Sequence, residues 1–174
     1  MKAFADLLDR LVYTPSRNAK LALIGHYLRA APDPDRGFGM AALTGEMALD
    51  FAKPALVRGL VAARTDPVLF GLSYDYVGDL AETCALLWPA AEGGGAAPRL
   101  AAVVETLRRT SKAETGRRVA EWLDRLDATG RWALLKLMTG GLRVGVSARL
   151  AKTALAESFG KPIAAIEELW PALA

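Results

Sequence analysis

The 174-residue chain has one cysteine and one histidine, and this scarcity excludes several kinds of site. Cys84 has no second cysteine for an internal disulfide, and Cys84 with His26 does not make a set of metal ligands. A single histidine, in a sequence without a P-loop, also leaves no visible chemistry for a small-molecule hydrolase. We therefore expect no metal, no cofactor and no catalytic residue in this chain.

Long apolar runs and a signal peptide are absent as well. No run reaches the roughly 18 residues typical of a membrane helix, although 52% of the residues are hydrophobic. The N-terminal stretch contains the acidic residues Asp6 and Asp9, which are not typical of a signal peptide. We expect a globular, monomeric, cytoplasmic protein with no membrane partner.

Alternating β-branched residues, which mark strands, are nearly absent outside residues 142–146. Apolar residues elsewhere recur at helical spacing, and this pattern predicts an all-α fold. Thr14 is placed to cap the second helix, at the start of the sequence TPSR. Ser111 and Glu114 have the spacing of a capping box, and the helix that they begin is predicted to end at Gly130.

The most informative stretch is TGGLRVGVS, residues 139–147, which we name the glycine–arginine corner. Its glycines stop one helix and let another molecule approach the backbone, and its serine can cap the next helix after a short extended run. Backbone N–H groups at a helix start, beside a permanent charge, form a natural phosphate seat. An ordinary helical corner with a solvated arginine is the alternative. The candidate residues are Gly140, Gly141, Arg143, Gly145 and Ser147.

Charge is uneven along the chain although the net charge is only +3. Residues 1–98 contain 9 basic and 11 acidic side chains, whereas residues 99–161 contain 13 basic and 6 acidic ones. Clustered lysine and arginine side chains are what phosphate binding requires. A solvated helix face could produce the same count.

The corner resembles the signature of the N-terminal DNA-binding domain of bacterial ATP-dependent DNA ligases. The sequences TPSRNAKLALIGHYL (14–28), VGDLAET (77–83) and TSKAETGRRVAEWL (110–123) follow the order of that family. The resemblance covers roughly residues 4–170. It implies a non-catalytic domain that grips nicked duplex DNA through backbone and minor-groove contacts, in repair, replication or recombination. It adds Arg17, Lys112 and Arg117 to the DNA-contacting residues, each of which could otherwise be a solvated side chain.

The catalytic lysine of that family lies in a K-x-D-G motif, and none of the seven lysines here begins one. The resemblance therefore assigns ATP and Mg to a catalytic domain of the parent enzyme, and makes the catalytic domains of the same polypeptide partners of this chain. A helical protein–protein interaction module is the alternative function. Salt-dependent binding of nicked DNA would separate the two.

A faint internal repeat predicts two pseudo-symmetric lobes, at about residues 1–88 and 99–174, joined by the linker PAAEGGGAAP at residues 89–98. A helix opens at Thr14 and another ends at Thr44, and the same pair recurs about 95 residues later. Ala48 stands where the second copy has Arg143. Two such lobes would protect DNA on both sides of a nick; coincidence is the alternative, because helix caps recur in any helical protein.

Overall fold

A computed structural model describes residues 1–47, 53–89 and 95–170, without the side chain of Lys112. In these ranges the chain forms eleven α-helices and no strand, which confirms the predicted all-α fold. The helices are α1 (Lys2–Val12), α2 (Arg17–Ala30), α3 (Asp35–Thr44), α4 (Pro54–Ala62), α5 (Pro67–Val77), α6 (Leu80–Leu87), α7 (Leu100–Arg109), α8 (Lys112–Arg125), α9 (Ala128–Met138), α10 (Ala148–Phe159) and α11 (Ile163–Leu169).

The chain divides into two compact units, each built from separate stretches of sequence. The first unit contains Met1–Ala5 and Leu49–Gly141, and the second contains Asp6–Ala48 and Leu142–Ala174. This division does not follow the consecutive lobes suggested by the internal repeat, because α2 and α10 share the second unit. The pseudo-symmetry stays a prediction. Part of the linker (90–94) and Ala48 lie outside the described residues.

In the first unit, α6 packs against α4, α5 and α9, while α8 packs against α4 and α9. The thiol-bearing Cys84 is fully buried in α6, as expected of a small hydrophobic residue. Arg131 is buried in α9, and its guanidinium donates to the carbonyls of Leu123 (2.8 Å) and Trp88 (2.9 Å). These bonds satisfy carbonyls near the ends of α8 and α6, which lack partners within their own helices.

In the second unit, α10 packs against α2, α3 and α11. The α2 helix buries Leu21, Ile24 and Leu28, as its apolar spacing predicts. Gly25 lies between them, and a Cβ there would come within 3.0 Å of the Ser158 hydroxyl of α10. A residue without a side chain at this point therefore permits the close packing of α2 and α10.

The start of α2 lies two residues beyond the position predicted from the sequence. Ser16 is the N-cap, and its hydroxyl accepts a hydrogen bond from the Ala19 N–H at 3.4 Å. The Thr14 hydroxyl instead donates to the Arg10 carbonyl at 2.7 Å, in the last turn of α1. Arg17 is therefore the first residue of α2, the position at which Pro15 was expected.

The predicted end of α8 at Gly130 is wrong. The helix ends at Arg125, and α9 begins two residues later with Asp127 as its N-cap, accepting from the Gly130 N–H at 2.8 Å. The capping box is also incomplete, since the Ser111 hydroxyl bonds the Glu114 carboxylate at 3.1 Å and caps no backbone N–H.

Candidate nucleic-acid interface

The glycine–arginine corner begins with a glycine turn and ends with a capped helix. After α9, Gly140 takes the left-handed conformation (φ 70°), and the Gly141 N–H donates to the Lys136 carbonyl at 3.0 Å. Ser147 is the N-cap of α10, accepting from the Leu150 N–H at 3.2 Å. Both helix boundaries were predicted from the sequence, and the structure confirms them.

The run between these boundaries is not the regular extended segment that alternation predicted. The chain bends at Val144 and Gly145, and Gly145 has a φ of 65°. Val144 is buried, whereas Arg143 and Gly145 are exposed. A left-handed residue reverses the local path of the backbone, so strict alternation of inward and outward side chains ends there.

The boundary between the two units falls inside the corner, directly after Gly141. Gly140 and Gly141 belong to the first unit, whereas Arg143, Gly145 and Ser147 belong to the second. The predicted site therefore consists of two groups of residues, which are described separately below.

Lys20 joins the corner to the start of α2 within the second unit. Its ammonium donates to the carbonyls of Val144 (3.2 Å) and Gly145 (2.9 Å), more than 120 residues away in sequence. Lys20 lies in the first turn of α2, one helical turn after the exposed Arg17. The structure thus brings together two segments that the sequence analysis singled out separately. Lys20 itself was missed, because its partners lie too far along the chain to leave a local pattern.

The three glycines of the corner have different surroundings. A Cβ on Gly145 would lie 2.6 Å from the Lys20 ammonium, which is the movable end of a flexible side chain, while the φ of 65° strains any residue other than glycine there. A Cβ on Gly141 would lie 3.3 Å from the Lys136 side chain. Gly140 is exposed, and a Cβ there would meet nothing within 4 Å. Of the three, Gly140 is therefore the one with open space for an approaching backbone.

Lys136, which lies beside Gly141 in the first unit, is already paired. Its ammonium donates to the Asp79 carboxylate, which also caps α6 by accepting from the Glu82 N–H at 2.9 Å. Burial raises the pKa of Asp79, but the hydrogen bonds from Lys136 and from the backbone lower it by more, so the net pKa lies below the ordinary value. The Lys136 charge is consequently engaged within the protein.

A groove of about 430 Å³ runs between α2 and α10 in the second unit. Two exposed arginines, Arg17 and Arg29, contribute to its lining, together with the acidic residue Glu157. Arg29 was not predicted, because a single charge near a helix end is usually solvated. The remaining lining residues are Asn18, Leu21, Ala22, Gly25, Ala154 and Ser158.

The two candidates on α8 belong to the first unit. Lys112 is the first residue of the helix, and its side chain lies outside the described part. Arg117 is 62% exposed and forms an ion pair with Glu121 at 3.3 Å, while Arg118 pairs with the same carboxylate at 3.2 Å. Exposed pairs of this kind contribute little stability, so a phosphate could compete for Arg117.

The excess of basic side chains in residues 99–161 does not make either unit strongly basic. The first unit contains 13 basic and 11 acidic side chains, and the second contains 9 and 8. The basic segment is divided at Gly141, and each part shares its unit with more acidic sequence. Any attraction for phosphates must therefore come from local groups such as Arg17 and Arg143.

Within the described ranges, no helix combines the length and apolar character needed to cross a membrane. The same residues contain no group of three acidic, histidine or cysteine side chains arranged to hold a metal ion. A comparison with protein-family models finds no match for this chain, and a search of curated proteins finds none either.

Proposed function

We propose that this chain is a non-catalytic DNA-binding domain that grips nicked duplex DNA by its sugar–phosphate backbone, in support of strand joining by the catalytic domains of a DNA ligase. The observation that carries the proposal is the bond from Lys20 to the corner. Through it, the first turn of α2, which also contains Arg17, is bonded to the residues that directly follow Arg143 in the second unit.

Two features of these segments suit phosphates. Both α2 and α10 begin with serine caps, and helix starts carry partial positive charge and free N–H groups. Arg17 and Arg143 are exposed, so each guanidinium can form two hydrogen bonds to one phosphate. Backbone contacts of this kind carry no sequence code, so binding should be independent of base sequence.

The test is a titration with a centrally nicked duplex at several salt concentrations. The logarithm of affinity should fall linearly with the logarithm of salt, with a slope of about −0.9 per phosphate neutralised. Arg143→Ala and Arg17→Ala should each make the slope less steep by about 0.9, and weaken binding by about 10- to 100-fold at low salt. Because both side chains are exposed, thermal stability should change by less than about 0.5 kcal/mol.

Arg10→Ala is the matched control, since Arg10 is an exposed arginine of the second unit outside both segments. It should leave the salt slope at the wild-type value. Salt-independent binding, or equal slopes for Arg143→Ala and Arg10→Ala, would overturn the proposal.

A further inference from the structure

The α5 helix (Pro67–Val77) has eleven residues and none of them is buried. Four large apolar side chains lie on its exposed side: Val68 (69% exposed), Leu69 (50%), Leu72 (66%) and Tyr76 (93%). Leu69, Leu72 and Tyr76 lie one, four and eight residues after Val68, so the four side chains share one face over about 12 Å of helix. We name these four residues the α5 stripe.

The opposite side of α5 is held by the first unit. The helix packs against α6, and the Tyr74 ring lies 4.6 Å from the guanidinium of Arg58, on α4. Asp66 caps the helix by accepting from two backbone N–H groups at 2.9 Å, and Gly78 ends it with a φ of 74°. The helix is therefore well formed, and its exposed apolar face is a fixed surface.

The charge beside the stripe itself is acidic, whereas Arg58 of α4 and Arg64 lie against the rings of Tyr74 and Trp88. Residues 65–88 contain four acidic residues and no lysine or arginine. Lys136 compensates Asp79, whereas Asp75 and Glu82 form no ion pair within the part of the chain that the structure describes. Asp75 directly precedes Tyr76 in sequence. At 100° per residue it lies at the edge of the stripe that Val68 forms. Asp75 thus forms an acidic border on the Val68 side of the apolar face.

We propose that the α5 stripe is a docking surface for an amphipathic helix of a partner protein, one that carries lysine or arginine beside its own apolar face. Side chains at helical spacing pack against a second helix, and large exposed apolar faces mark such sites. The acidic border attracts a basic partner. A second copy of this chain presents acidic residues against the same acidic residues, and DNA is repelled for the same reason.

The surface can be tested with two synthetic helices of about 18 residues, longer than the 12–15 below which isolated helices are marginal. Both carry the same leucine stripe, but one has lysine and the other has glutamate on the remaining positions. Fluorescence anisotropy with the full chain should show binding of the leucine–lysine peptide, weakening as salt is added. The leucine–glutamate peptide should bind at least about tenfold more weakly, because like charges at the border repel it.

The double variant L72Q/Y76Q should reduce affinity for the leucine–lysine peptide by about tenfold or more, because the buried apolar contact is lost. Leu169→Gln is the matched control, since Leu169 is also 66% exposed but belongs to α11. Asp75→Lys should weaken binding of the leucine–lysine peptide and strengthen binding of the leucine–glutamate peptide. This charge reversal leaves the stripe intact, so it tests the proposal even if the double variant does not fold.

Three results would overturn the proposal. The first is equal affinity of wild type and L72Q/Y76Q for the leucine–lysine peptide, with both proteins folded by circular dichroism. The second is equal binding of both peptides regardless of the residue at position 75. The third is a wild-type dimer in sedimentation that L72Q/Y76Q abolishes, since the occupant would then be a second copy of this chain.

Discussion

Replacing Lys20 with methionine separates the positioning of the corner from direct contact with phosphate. The substitution removes the two hydrogen bonds to the carbonyls of Val144 and Gly145. Methionine keeps the unbranched stem and its packing, so the loss is confined to the ammonium. Arg143 directly precedes Val144 in sequence. When the two hydrogen bonds are removed, the backbone next to Arg143 is no longer held in one conformation.

The expected cost follows from the surroundings of the two bonds. A hydrogen bond from a charged donor contributes roughly 1.5–3 kcal/mol. The bond to Gly145 is exposed, so water can replace the ammonium there, whereas the bond to Val144 is partly buried. We expect a loss of about 1–2 kcal/mol, which for a chain of this length lowers Tm by roughly 2–8 °C.

A DNA-binding measurement distinguishes a lysine that positions the corner from a lysine that contacts phosphate. If Lys20 acts by positioning, Lys20→Met weakens binding of the nicked duplex but leaves the salt slope unchanged, because no phosphate contact is lost. Lys161→Met, at an exposed lysine of the same unit, should change neither Tm nor affinity. The reasoning is refuted if Lys20→Met reduces the slope by about 0.9, as loss of a phosphate contact does, or if Tm stays at the wild-type value.

Two further predictions concern the first unit. Gly140 and Gly78 both have a positive φ and open space at the Cβ position, so alanine at either should lower the free energy of unfolding by about 1–2 kcal/mol. DNA affinity should fall for Gly140→Ala but not for Gly78→Ala. Equal DNA affinities of the two variants would remove Gly140 from the interface. The pKa of Asp79 is lower in the folded state than its ordinary value, so the stabilisation from Lys136 is present above about pH 4 and is lost as pH falls through the folded pKa. Urea unfolding of wild type and Lys136→Met should therefore differ at pH 7 and by progressively less as the pH falls below about 4, and a difference that does not shrink over that range contradicts this linkage.

Helix boundaries were predictable where one residue decides them. Gly45, Gly140 and Gly160 end or follow helices in the left-handed conformation, and Ser147 caps α10, because these requirements are met within a single turn. The boundary between α8 and α9 was not predictable, because apolar spacing continues through Leu126 and hides the break.

The pairing of segments was beyond local reasoning. Thr14 and Ser16 are both competent caps, and the choice between them depends on the Arg10 carbonyl that Thr14 finds in α1. The bond from Lys20 to Gly145 depends on the packing of α2 against α10, which no pattern within either helix specifies. The sequence therefore identified the segments of the candidate site, and the structure supplied the contact between two of them.

The discontinuous second unit has a consequence for synthesis on the ribosome. At roughly 5–20 residues per second, α10 is completed about 6–26 s after α2, because Ala30 and Phe159 are 129 residues apart. During that interval the apolar face of α2 has no α10 to pack against, and it is open to chaperones or to misassembly. The first unit has all of its residues once Gly141 is made. The first unit can therefore fold during translation before the second unit, whose two segments lie on either side of Leu49–Gly141.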